Sequence, residues 1–313
     1  MKPTPYPIIN DWLAAIDQRG KSQATQDTYR RGMLHFIRWS EQTYGDAFDP
    51  TQIIPRDIEE WIAYQQTVEK AKVNTINSRI TGVSRFFAWA VKNQVIPNNP
   101  TDDTSTIRTT RRRPKALKKN YVRKLLRQIH QGHNLRDAAM VECLLGAGLR
   151  VSELLALQKS DITLGERSGQ VEIRRGKGAV HRIVPLTAPV RKALQTYLND
   201  DKLRKAYEDD HTDLDDSTPL WIGERGPLTD RSGVFYLLKK YARRAGLDSD
   251  LISSHVLRHT FSTRYLEANP DDLRGLASLL GHASLNTVMI YTEPTSEMLA
   301  ERMARAEIPA ERI

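Results

Sequence analysis

The sequence predicts a mostly α fold with a small antiparallel sheet, arranged as two domains. Apolar residues recur at helical spacing through most of the chain. Two short segments with strand-like alternation, "GQVEIRR" (169–175) and "HRIVPL" (181–186), flank the connection "GKGAV" and read as a hairpin. A basic segment at 106–127 separates two stretches whose own charges nearly balance. A length of 313 residues suffices for two domains of ordinary size.

Four helices are expected first. Tyr6–Arg19 carries Trp12, Leu13 and Ile16 at helical spacing, and Thr25–Tyr44 carries Tyr29, Met33, Phe36 and Ile37. Pro55 suits the first turn of a helix running to Glu69. The fourth, Val73–Asn93, has Ile76, Ile80, Val83, Phe87 and Ala90 on one face, and "IPNNP" ends it because proline cannot continue a helix. Its other face carries Asn74, Thr75, Asn77, Ser78, Arg79, Ser84 and Arg85. Asn and Arg can form bidentate hydrogen bonds to adenine and guanine edges, although the same pattern also fits an ordinary solvated face. Beyond the basic segment, helices are expected near 118–131 and 134–147. A "GAG" turn then leads into a short helix in "LRVSELLAL", followed by the hairpin, which alternation in Val171 and Ile173 and then Ile183 and Val184 supports. Further helices are expected near 187–207, 230–245, 255–268, 271–281, 284–290 and 296–306. The domains are therefore placed at 1–100 and 117–313, joined by a linker at 101–116.

Composition narrows the function. The net charge is +9, and its position is informative. Residues 1–105 hold 12 Lys/Arg and 12 Asp/Glu, residues 128–313 hold 25 and 26, and residues 106–127 hold 10 basic residues and no acidic one. A concentrated basic segment between folded regions suits a linker lying along phosphates, with Arg111, Arg112, Arg113, Lys118 and Lys119 as contacts. The single cysteine, Cys143, excludes an internal disulfide framework and lies in an apolar run suited to the core. No apolar run reaches the ~18 residues of a membrane span, and the N-terminus shows no signal-peptide pattern, so no membrane partner and a cytoplasmic location are expected. The acidic "EDDHTDLDD" (208–216) lacks the glycine and terminal glutamate of a calcium loop and reads as a solvated loop.

One set of residues suits phosphoryl transfer. Arg150 follows the glycine turn, Lys177 sits at the hairpin tip, His255 and Arg258 lie three apart on one helix face, and "LLGHASLNTVMIYT" brings His282 close in sequence to Tyr291. Two guanidinium groups can clamp the charged oxygens of a phosphorane-like transition state. A hairpin lysine can protonate a leaving oxygen, and a histidine can take a proton from an attacking tyrosine. Such a set needs no metal or other cofactor. Taken alone, Lys177 also fits a plain turn residue and His282 a helix cap.

In combination these motifs resemble the tyrosine recombinases of the phage-integrase family, in a layout closest to the Xer type. "AGLRVSELLAL" is similar to the family's first arginine box, "SHVLRHTFST" to its His-x-Leu-Arg-His box, and "LLGHASLNTVMIYT" to its histidine-and-tyrosine box. "TINSRITGVSRFFAWAVKN" resembles the last helix of its N-terminal core-binding domain. The resemblance implies a helical, SAM-like core-binding domain and a catalytic domain that together form a C-shaped clamp round DNA. It further implies that Arg150 and Arg258 bind the scissile phosphate and that Lys177 is the general acid for the 5′ oxygen. His255 would assist proton transfer, and His282 would bind the phosphate or orient Tyr291. Tyr291 would form a 3′-phosphotyrosine linkage, with Glu153 and His259 in support. The implied partners are duplex DNA with paired, inverted half-sites and a homotetramer, or a related second recombinase. The segment "SEMLAERMARAEI" would dock on a neighbouring protomer. The chain begins the core-binding domain almost at once, which implies no separate arm-site domain. Type IB topoisomerase-like relaxation and non-catalytic DNA binding are the competing readings.

Overall fold

The computed structural model describes residues 3–20, 22–108, 116–174, 181–200, 219–223 and 226–281. The chain divides into two compact units, Met1–Arg112 and Arg113–Ile313.

The first unit contains helices α1 (Pro7–Gln18), α2 (Gln23–Tyr44), α3 (Pro55–Thr67) and α4 (Val73–Lys92). Pro7 and Pro55 open their helices where a missing N–H costs no intrahelical bond. The Ser22 side chain accepts from the Thr25 N–H at the start of α2, and Gly45, with φ of 80°, ends that helix. All five expected apolar positions of α4 are buried, and Phe86 joins them. Phe36 meets Trp61 edge-on at 5.1 Å between ring centroids, and Trp12 meets Phe86 in the same way at 5.4 Å. Each such side chain contributes roughly 1.5–3 kcal/mol on full burial. Two glycines set the α2–α4 spacing. A Cβ on Gly32 would lie 3.1 Å from the Arg79 backbone, and one on Gly82 would lie 3.1 Å from the Tyr29 carbonyl.

The expected linker begins differently in the structure. The Asn77 side chain donates to the Ile107 carbonyl at 2.9 Å and accepts from the Ile107 N–H at 2.8 Å. Ile107 also packs against the first unit's core. Residues 101–108 thus belong to the helical unit.

The second unit contains α5 (Lys119–Gln131), α6 (Leu135–Gly146), α7 (Val151–Leu155), β1 (Ile162–Leu164), β2 (Gly169–Ile173) and β3 (Arg182–Pro185). It continues with α8 (Ala188–Leu198), the short strands β4 (Ile222–Gly223) and β5 (Gly226–Pro227), α9 (Arg231–Arg244), α10 (Ser254–Ala268) and α11 (Leu273–Leu280). Helix α6 is buried from Asp137 to Leu145 and packs against α8 and α10, so it forms the centre of this unit. Cys143 lies in that core, where burial raises the thiol's pKa. Trp221 donates its indole N–H to the Leu154 carbonyl at 2.6 Å and pins the end of α7.

The sheet has three strands in the order β1-β2-β3, with Val171 opposite both Ile162 and Val184. β1 extends the expected hairpin; at three residues it is too short to show alternation in sequence. Ile183 is 50% exposed, and the inward positions are Arg182 and Val184. An inward arginine requires a buried acceptor, which Glu153 supplies. The helices expected at 284–290 and 296–306, the end of the helix expected to 207 and the acidic loop at 208–216 lie outside the described residues.

Candidate active site and nucleic-acid interface

Gly148 starts the site. Its φ of +62° disfavours an L side chain, and a Cβ there would lie 2.3 Å from the Phe261 ring. The turn therefore lets the backbone pass directly beneath α10. Its carbonyl then accepts from Arg258 Nη1 at 2.6 Å. Arg150 follows at the start of α7. Its backbone N–H donates to Glu153 Oε2 at 2.8 Å, a cap that closes the first turn, and its Nη1 donates to Glu153 Oε1 at 2.7 Å.

The two arginines of the separate motifs meet on one atom. Arg150 Nη1 and Arg258 Nη2 both donate to the Leu280 carbonyl, at 3.2 and 2.8 Å. Leu280 is the last residue of α11, whose final carbonyls have no intrahelical partner and attract cations. The Arg150 side chain is 34% exposed and the whole of Arg258 only 5%. One guanidinium thus faces solvent beside another fixed in the protein.

Arg182 is the residue that the sequence analysis missed. It forks onto Glu153, with Nη1 at 3.0 Å from Oε1 and Nη2 at 2.8 Å from Oε2, and its Nε donates to the Leu279 carbonyl at 2.7 Å. The signal was present: on alternating phase it shares the face of Val184, and a buried arginine demands a carboxylate. Burial pushes the Glu153 carboxyl upward, but hydrogen bonds from Arg182 and from the Arg150 backbone N–H outweigh it and bring the pKa down to about 2.

His255 lies on α10, exposed and one turn before the buried Arg258, and His259 is buried on the same helix. Lys118 precedes α5, and Lys119 lies 3.6 Å from Glu267 in an exposed ion pair. Lys177, His282, Tyr291, Arg111, Arg112, Arg113 and the segment 296–308 lie outside the described residues. Among the described residues, no group of three or more His, Cys, Asp or Glu is arranged to hold a metal ion. Among those residues, too, no helix is long and apolar enough to cross a membrane.

In the first unit, Asn74, Thr75 and Arg85 are exposed on α4, whereas two other expected DNA contacts are engaged inside the protein. Asn77 holds the Ile107 backbone, as described above. Arg79 Nη1 donates to Glu69 at 2.7 Å and to Gln65 at 3.1 Å. Glu69 also accepts from His35, whose other ring nitrogen accepts the Trp61 indole N–H at 3.0 Å; burial lowers the His35 pKa. α2 adds exposed Arg31 and Arg38, and with Thr28 these line a groove shared with Asn74, Thr75 and Ser78 of α4. None of these α2 residues was among the expected contacts.

The chain matches the phage integrase family over residues 115–298 and the N-terminal SAM-like domain of phage integrases over residues 8–96. It belongs to the phage integrase family: it is a tyrosine recombinase, acting in site-specific DNA recombination through phosphotyrosine chemistry. Within that family it is closely related to the Xer-type recombinases. It is 35% identical to a tyrosine recombinase XerD of Ralstonia nicotianae, over 92% of this chain and 88% of the relative, and 34% identical to a XerD of Xanthomonas campestris, over 92% and 87%. Its fold resembles the crystal structure of XerH recombinase in a post-cleavage complex with palindromic difH substrate, with a TM-score of 0.71 at 22% identity over 90% of this chain and 80% of that one.

Proposed function

We propose that Tyr291 attacks a scissile phosphodiester whose non-bridging oxygens are held by Arg150 and Arg258. The Tyr291 Oη–P bond forms as the P–O5′ bond breaks. Lys177 gives a proton to the departing 5′ oxygen, and His255 assists transfer of the phenolic proton. His282 binds the phosphate or orients the tyrosine. The product is a 3′-phosphotyrosine and a free 5′ hydroxyl. Attack by a 5′ hydroxyl from a second duplex reverses the bond changes and completes strand exchange. The phosphotyrosine conserves the ester's energy, so rejoining requires no nucleotide hydrolysis.

The observation that carries this reading is the convergence of Arg150 and Arg258 on the Leu280 carbonyl. Two guanidinium groups brought to one oxygen are spaced to share a phosphate, and preorganised donors of this kind are worth roughly 3–4 kcal/mol each at a transition state. In the same reading, the helical domain grips the duplex through the α2–α4 groove, the basic segment that follows Arg108 tracks the phosphates, and the catalytic domain carries out the cleavage. Four copies assemble on paired, inverted half-sites in the cytoplasm, with the C-terminal segment docking on a neighbouring protomer.

The test is covalent trapping on nicked duplexes from around the protein's own gene, resolved on a denaturing gel. Wild type should give a DNA-linked band that Tyr291→Phe lacks. A band of equal intensity from both proteins would remove Tyr291 from the chemistry.

A further inference from the structure

Arg182 matches no motif of the site, yet its three hydrogen bonds join the site's separate parts. The Glu153 fork ties β3 to α7, and the bond to the Leu279 carbonyl ties β3 to the last turn of α11. The arginine also lies against Gly281, where a Cβ would come within 2.8 Å of Nη1 and where φ is +62°. Gly281 is the residue after which the chain continues to His282 and Tyr291. Each nitrogen of the Arg182 guanidinium already donates inside the protein, to Glu153 or to the Leu279 carbonyl, which suits it to holding its neighbours in place.

The charges give this arrangement a purpose. Glu153 is bonded by Arg182 and Arg150, and Arg258 Nη1 lies 3.7 Å from it. Three guanidinium groups around one carboxylate leave two positive charges in excess. Without Arg182, Glu153 would cancel the charge of Arg150 and draw it inward, and the excess would fall to one. A fork to a carboxylate also fixes an orientation that a single point charge does not.

We propose that Arg182 is a positioning residue for DNA cleavage: it matches the charge of Glu153 and locks the end of α11 to β3, leaving Arg150 and Arg258 aligned and uncancelled for the phosphate. This rests on the functional reading above.

The test uses the full chain as wild type, Arg182→Gln, Arg182→Lys and the double variant Glu153→Gln/Arg182→Gln. The probe is a pool of random-sequence duplexes carrying nicks. Arg182→Gln should bind the pool as wild type does but form covalent adduct about a hundredfold more slowly, the scale of a misplacement near 1 Å. Its rate should rise as pH drops through a carboxylate titration that wild type lacks and the double variant loses, because protonating Glu153 frees Arg150. Arg182→Lys, which keeps charge without the fork, should recover part of the rate. A loss of rate that is uniform with pH, or equal to a loss of DNA binding, would overturn the proposal. A separate arm follows the Glu153 carboxyl by NMR without DNA. Its pKa should rise in Arg182→Gln, and an unchanged titration would overturn the proposal whatever the adduct assay gives. Absence of adduct from wild type would instead count against the cleavage reading on that pool, while the carboxyl titration still decides the role of Arg182.

Discussion

Gly148→Ala should destabilise the second unit while leaving the first untouched. Its cost has two parts. The left-handed backbone at φ of +62° penalises an L side chain by about 1–2 kcal/mol. The new methyl would also meet Phe261 Cδ1 at 2.3 Å and Cε1 at 2.7 Å, an overlap that the ring must move to relieve. Overpacking of this kind costs about 1–3 kcal/mol, which gives a total near 2–5 kcal/mol. Native-state hydrogen exchange reads this directly. Amides of α6 and α10 should exchange faster by the corresponding factor, with α2 and α4 as internal reference. In a Phe261→Leu background the overlap is relieved, and the same substitution should cost about 1–3 kcal/mol less. An equal cost in both backgrounds would refute the steric half of this reasoning, and no cost in either would refute both halves. Because the Gly148 carbonyl accepts from Arg258, adduct formation should also slow, by about a hundredfold for a shift near 1 Å.

Other outcomes follow from the same geometry. Glu153 is held down to about pKa 2 against an ordinary value near 4.5, so its contribution is complete above the unfolded value and is lost as pH falls through the folded one. Acid titration of stability should therefore steepen between those values, by up to about 3 kcal/mol, and Glu153→Gln should remove that component. Asn77→Ala should cost about 1–3 kcal/mol and speed proteolysis near Ile107 without changing the sequence preference of DNA binding; altered preference with normal stability would return Asn77 to base reading. Arg31→Gln and Arg38→Gln should each flatten the salt dependence of binding to a random duplex, by about 0.9 in slope for every phosphate left without its cation. Replacing Arg111, Arg112 and Arg113 together should flatten it further, and an unchanged slope would sink the idea that the linker follows phosphates.

The parts of the fold legible in sequence were those with long or strict periodicity. Helix α4 declared itself through Ile76, Ile80, Val83, Phe87 and Ala90, because a single buried stripe repeats over about four turns. Arg150 and Arg258 could be named from their local motifs, but their meeting at Leu280 could not, since that acceptor lies 130 and 22 residues away. The phase of β3 could not be read from its residues. "RIV" contains two adjacent apolar residues, and in a strand only one of them can face inward, so Arg182 went unread. The contact of Asn77 was hidden for a similar reason: its hydrogen-bond partner is a backbone group 30 residues downstream that no helix-face pattern reveals.

The site uses Leu279, Leu280 and Gly148 through their main-chain carbonyls, which has a consequence for what variation can reveal. A complete mutational scan would score Leu276 and Leu280 alike, as positions that accept other apolar residues, because substitution leaves the Leu280 carbonyl in place. Gly148 would accept almost nothing, on account of its backbone angle and the ring above it. The acceptor on which both arginines meet would thus leave no mark of its own in such a scan, and functional importance at Leu280 would be read as ordinary hydrophobicity.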